Sequence, residues 1–118
     1  MQYRLDPSRR LVHVRAWGVI STADLQDLTS HLLADPAFDG DFRSLTDLSA
    51  ATGISVTGTE LKATAWMPLY NAGARRAIVA PTDLMYGMGR VYAAHAEQVG
   101  ETVRVFRSLQ EAEAWLEL

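Results

Sequence analysis

The sequence predicts an α/β fold of order β-β-α-β-α-β-α-β-α, a mostly parallel five-stranded sheet with an antiparallel edge strand and four helices. Three observations carry this expectation. Short segments near the start alternate apolar and polar residues with a period of two, as half-buried strands do. Apolar stripes at helical spacing follow capping residues. After an opening hairpin, strand-like and helix-like segments alternate strictly, which implies right-handed crossovers and a parallel sheet. At 118 residues, the chain is expected to form one domain over 1–118.

Residues 2–6 and 10–17 read as two strands joined by Pro7-Ser8-Arg9, a turn with proline placed early. Val12, Val14 and Ala16 alternate with Leu11, His13, Arg15 and Trp17, and Gly18 is expected to break the strand. Ser21 or Thr22 caps the first helix, with Asp24 in its first turn. Leu25, Leu28, Leu32 and Leu33 form its apolar stripe, and Pro36 forbids continuation. Residues 43–49 form the third strand, and a Gly/Ser/Thr-rich loop is expected from Ala50 to Thr57.

Gly58 or Thr59 opens the second helix, with Leu61, Ala65, Trp66, Leu69 and Tyr70 on its buried face and Gly73 as its stop. The continuous apolar run Ala77-Ile78-Val79-Ala80 suits a strand covered on both faces. Pro81 ends it, and Thr82 caps a third helix reaching about Gln98. Val103, Val105 and Phe106 form the last strand. Ser108 and Glu111 make a capping box for a final helix that turns Ala112, Trp115 and Leu116 inward.

Composition removes several classes of function. There is no cysteine, so disulfides, thiolate metal sites and cysteine nucleophiles are excluded. The first residues have no apolar core long enough for a signal peptide, and no apolar run approaches a membrane span, so a cytoplasmic location is the default expectation. Net charge is -3 with both signs mixed, and the basic pairs Arg9-Arg10 and Arg75-Arg76 stand outside any basic run. Nucleic-acid binding needs a basic stripe, so no nucleic-acid partner is expected.

The order of elements resembles the SpoIIAA-like fold of STAS domains, and more specifically the bacterial STAS/SEC14 domain-containing proteins. Gly18 with Thr22-Ala23-Asp24-Leu25, Pro36-Ala37-Phe38 and Asp47-Leu48-Ser49 carry the resemblance in the first half. Tyr86-Gly87 with Arg90 and Tyr92, then Val105-Phe106, Glu111-Ala112 and Trp115-Leu116, carry it in the second. The resemblance implies a non-catalytic regulatory or protein-interaction domain. A STAS antagonist bears a phosphorylatable serine in an Asp-Ser-Ser-Gly-like segment at the start of the second helix. Here the segment falls on Ser55-Val56-Thr57-Gly58 and the acceptor position is Val56, so the usual switch is missing. A phosphate on Ser55 or Thr57 would still meet a helix N-terminus, although capping alone explains Thr57.

In an open parallel sheet, ligands bind beyond the carboxyl ends of the strands, which here present Trp17-Gly18, Asp47 to Ser49 and Pro81-Thr82-Asp83. The stretch Met85-Tyr86-Gly87-Met88-Gly89-Arg90 puts two glycines inside a helix, at about 1 kcal/mol each relative to alanine. Either close packing or a ligand brought near the backbone explains that cost. Tyr86 and Arg90 share a face and could hold a carboxylate or phosphate; otherwise Arg90 pairs with a surface acid. Trp66, Met67, Tyr70, Met85 and Met88 could line an apolar groove between the second and third helices, or simply form core.

Neither a dinucleotide fingerprint nor a Walker loop is present, and no cofactor is expected. His13, His31 and His95 lie on three separate elements without metal-ligand spacing, so no metal is expected. Asp47 and Asp83 end or follow neighbouring strands, the only arrangement that suggests acid–base chemistry, and each has an ordinary local role as a turn or first-turn acid. The leading expectation is therefore a protein partner, met by the surface around residues 55–60 and 82–92, with a homodimer as one form of it. The alternative is a small anionic or lipid-like ligand, held by Tyr86 and Arg90 with Trp66 and Met88 as apolar wall.

Overall fold

A computed structural model of the chain describes residues 1–65 and 69–118. The elements run β1 (Gln2–Asp6), β2 (Leu11–Ser21), α1 (Thr22–Ala34), β3 (Arg43–Ser55), α2 (Gly58–Ala65), β4 (Arg75–Val79), α3 (Asp83–Gln98), β5 (Thr102–Phe106) and α4 (Leu109–Leu116). The sheet order is β1-β2-β3-β4-β5. Only the hairpin pair β1/β2 is antiparallel; the other three pairs are parallel. The expected architecture is therefore the observed one.

Strand alternation sorts the two faces. Val12 and Val14 of β2 pack with Leu32 of α1, while Ile78 and Val103 pack with Met85 and Ala96 of α3. On the opposite face Leu11, Leu45, Ala77 and Val79 meet Ala112 and Leu116 of α4. Thus β4 is apolar on both sides because helices cover both, as its continuous run implies. At the end of the α1 side, Phe38 meets Phe42 and Tyr70 edge-on, with ring centroids 5.8 and 5.5 Å apart.

Four expectations need correction. Gly18 does not end β2: it takes φ +65° at one of two register shifts, and the strand continues to Ser21. A left-handed residue at a bulge kinks a strand without stopping its ladder. The expected loop after Ser49 is consequently strand, because Gly53, Ile54 and Ser55 pair with Val19, Ile20 and Ser21. Leu33 is exposed while Leu32 is buried, so the stripe of α1 is narrower than its leucines suggest. Leu69 and Tyr70 lie outside α2, whose described span ends at Ala65.

The start of α1 is held by a reciprocal cap. Ser21 Oγ accepts from the Asp24 amide at 3.2 Å, and Asp24 Oδ2 accepts from the Ser21 amide at 2.9 Å. The backbone bond from Ser21, helped by its hydroxyl, holds the Asp24 carboxyl below its ordinary value of 3.8. A depressed carboxyl stabilises the fold above its unfolded pKa, and that contribution is lost as pH falls through the folded value. Ser21→Ala should cost about 1 kcal/mol at neutral pH. Urea melts from pH 7 to 2 should show the original chain losing its advantage over Asp24→Asn as the Asp24 carboxyl protonates, below its ordinary value of 3.8; a difference constant across that range would show that the carboxylate takes no part in the cap.

Candidate functional site

Between the sheet and the helices on its α1/α3 side lies a cavity of about 120 Å³. Its floor is sheet: Val14 from β2, Ser44, Thr46 and Leu48 from β3, and Ile78 from β4. Leu25, Leu28 and Leu32 of α1 form one wall, and Met85, Met88, Gly89 and Tyr92 of α3 the other. Leu69, Tyr70 and Arg76 close one side. Gly89 lets α3 approach the sheet closely: an added Cβ there would lie 3.1 Å from Val105 Cγ1. Ser44 and Thr46 add small hydroxyl side chains to the floor.

One end of this apolar space is polar. Arg76 points inward from β4, its side chain 14% exposed, and pairs with Glu101, 5% exposed, at 2.5 Å. Its Nη2 donates to the Tyr92 hydroxyl at 2.9 Å. The guanidinium carbon lies 4.1 Å from the Tyr70 ring centroid and 5.4 Å from that of Tyr92, so two rings flank the charge. Burial works against the guanidinium, but Tyr92, Tyr70 and Glu101 outweigh it and hold its pKa above the usual arginine value. Burial raises the Tyr70 phenol, with the Arg76 charge and a hydrogen bond to Ser44 opposing. The remaining donor, Arg76 Nε–H, is buried and has no hydrogen-bond partner among the described residues. A buried unsatisfied donor beside an apolar cavity is a place where a ligand atom can gain a bond that the protein alone does not make.

The residues singled out in the sequence fall in separate places. Asp83, Tyr86 and Arg90 gather on the outer side of α3, but Arg107 occupies the position between them. Its Nη1 bonds Asp83 Oδ1 at 2.7 Å, and its guanidinium lies 4.1 Å from the Tyr86 ring centroid, against 6.0 Å for Arg90. That ion pair is at the surface, with the Asp83 side chain 96% exposed. Asp47 accepts from the Ser49 amide at 2.9 Å, a local contact within β3. Each of the two aspartates is thus engaged by its own neighbour.

Trp17 is exposed on the α4 side of the sheet, with His13 and Arg15 at alternate positions before it. Thr57 caps α2, accepting from the Glu60 amide and donating to Glu60 Oε1, both at 3.1 Å. Glu60 also accepts from the Thr22 hydroxyl, and these hydroxyl bonds hold its carboxyl below the ordinary range. A phosphate on Thr57 would therefore face a carboxylate. Val56, at the acceptor position, is buried. Gly87 faces open space, with nothing within 4 Å of an added Cβ, so of the two helical glycines only Gly89 serves close packing. Met88 lines the cavity, and Trp66 lies outside the described residues.

Of the residues that build the polar end, the sequence singles out Tyr70, as a possible groove lining, but not Arg76, Tyr92, Ser44 or Glu101 as site residues. A signal for them exists: carrying the period of two back from Ile78 places Arg76 on the helix-covered face, where a lone cation is unusual. Among the described residues no group of His, Asp and Glu side chains could hold a metal, and no helix is long and apolar enough to cross a membrane.

No family model matches the chain, and comparison with curated proteins finds no relative. Among solved structures, the chain is similar to an uncharacterised protein of the DUF3478 family from Shewanella loihica PV-4, described as having a SpoIIAA-like fold. The TM-score is 0.59 at 20% identity, covering 90% of this chain and 83% of that one. The fold of this chain is SpoIIAA-like.

Proposed function

We propose that this chain is a non-catalytic binding domain that takes a small, mainly apolar molecule into the cavity between its sheet and the helices α1 and α3. The observation that carries this reading is the pairing of an apolar space with a buried, incompletely bonded arginine. Closely packed interiors rarely leave such a space, and pockets that bind small molecules combine apolar walls with few convergent polar groups. The volume of about 120 Å³ is close to that of engineered apolar cavities, roughly 150 Å³, that take up benzene. Native mass spectrometry on gently purified protein should reveal an adduct that leaves on denaturation. Toluene or indole should raise the melting temperature of the emptied protein. Thr46→Leu, which fills the floor, should abolish that rise. A bare chain whose melting temperature neither probe moves would refute the proposal.

A second reading, a regulatory domain that meets a protein partner, is supported by the outer face of α3. There Leu84 and Val91, seven residues apart, are exposed on either side of the open Gly87 position. A homodimer built on this face would be lost in Val91→Asp by sedimentation equilibrium, with the melting curve of the monomer unchanged.

A further inference from the structure

Resting on the ligand-binding reading of the cavity, we infer that its polar end selects a neutral molecule carrying one hydrogen-bond-accepting oxygen, such as a ketone, and discriminates against carboxylates. Among the described residues, this end offers two donors without an acceptor, and its one cation is already paired. The Arg76 charge is already matched by Glu101 at 2.5 Å, in a pair that solvent hardly reaches. A carboxylate entering beside Arg76 would bring a second negative charge next to Glu101, with its own desolvation to overcome. A neutral oxygen brings no charge and a much smaller desolvation cost. Arg76 Nε–H has no partner, and the Tyr92 hydroxyl accepts from Arg76 without donating to any described residue, so its proton is also available. One carbonyl oxygen has the two lone pairs to accept from both. The volume of about 120 Å³ suits a remainder of about one six-membered ring.

The test compares cyclohexanone, methylcyclohexane and cyclohexanecarboxylate, which share one six-membered ring, by NMR titration of the full chain. Cyclohexanone should bind about tenfold more tightly than methylcyclohexane, the equivalent of one net hydrogen bond. It should also move the Arg76 Nε–H proton downfield, while the carboxylate binds more weakly than either. In Glu101→Gln the guanidinium loses its counter-charge, and the carboxylate should overtake the ketone. If methylcyclohexane binds as well as cyclohexanone, or the carboxylate binds best to the unaltered chain, this inference fails while the cavity remains a ligand site. If none of the three binds, the ligand-binding reading fails and takes the inference with it. The series on the unaltered chain decides between these outcomes even if Glu101→Gln does not fold.

Discussion

Glu101→Ala should destabilise the fold by about 3–5 kcal/mol, the largest effect expected of any single polar substitution here. The reason lies in what remains behind. Arg76 would keep its charge, pressed between the Tyr70 and Tyr92 rings at 4.1 and 5.4 Å, with no anion to offset its lost hydration. Equilibrium urea unfolding at neutral pH reads the effect directly, provided the slope with denaturant is unchanged. Removing both charges together should cost far less, because a buried ion pair contributes little net stability against an apolar pair of similar volume. The double variant Arg76→Met with Glu101→Leu is therefore expected to lie within about 1–2 kcal/mol of the original chain. A loss below 1 kcal/mol in Glu101→Ala would mean that water entering the cavity already hydrates the guanidinium, and the polar end would not be the dry site argued above.

Gly89→Leu is expected to cost about 3 kcal/mol or more. Even the first added carbon would sit 3.1 and 3.3 Å from the two Val105 methyls, closer than side chains normally pack, and in ordinary contact with Ile78 Cγ2 at 3.7 Å. A longer side chain forces α3 away from β5 and opens the cavity wall that the same helix supplies. Its neighbour behaves oppositely. Gly87 meets nothing, so Gly87→Ala should stabilise by up to about 1 kcal/mol through the unfolded chain's lost freedom and better helix propensity. Thermal melts of the two variants side by side make the comparison. A destabilised Gly87→Ala chain would point to a contact made by that face in a partner or second copy, and would strengthen the interaction reading.

Much of this architecture was legible because its causes are local. Ser21 with Asp24, Thr82 with the Met85 amide, and Ser108 with Glu111 are caps that act over three residues, and all three are made where the sequence places them. The antiparallel hairpin and the doubly covered β4 follow from a turn and from a continuous apolar run. Where the expectation failed, a distant partner overruled a local cue. Gly18 and the Gly/Ser/Thr-rich segment after Ser49 look like loop in isolation, yet each gives the other a strand to pair with, as Val19↔Gly53 and Ile20↔Ile54. Ladder hydrogen bonds to a neighbour outweigh weak strand propensity, which is a preference of fit more than of backbone.

The candidate site was the harder part. Tyr86 and Arg90 are four apart on one helix, with the Arg90 guanidinium 6.0 Å from the Tyr86 ring centroid, but Arg107 from beyond β5 lies closer to that ring, at 4.1 Å, and bonds Asp83. Nothing within the third helix could indicate that. The cavity is assembled from residues between Met1 and Val103, six strands and helices among them, and the cation at its polar end comes from a strand that reads as ordinary core. The sequence by itself determined the order of elements, their caps and the face that each strand turns to the helices, because these depend on residues a few positions apart. Only the tertiary structure decided that Arg76 meets Glu101, Tyr70 and Tyr92, and that a space remains beside them. Such an encounter depends on how closely α3 seats at Gly89 and how far α1 stands from it, and both are set by side-chain volumes from every layer at once.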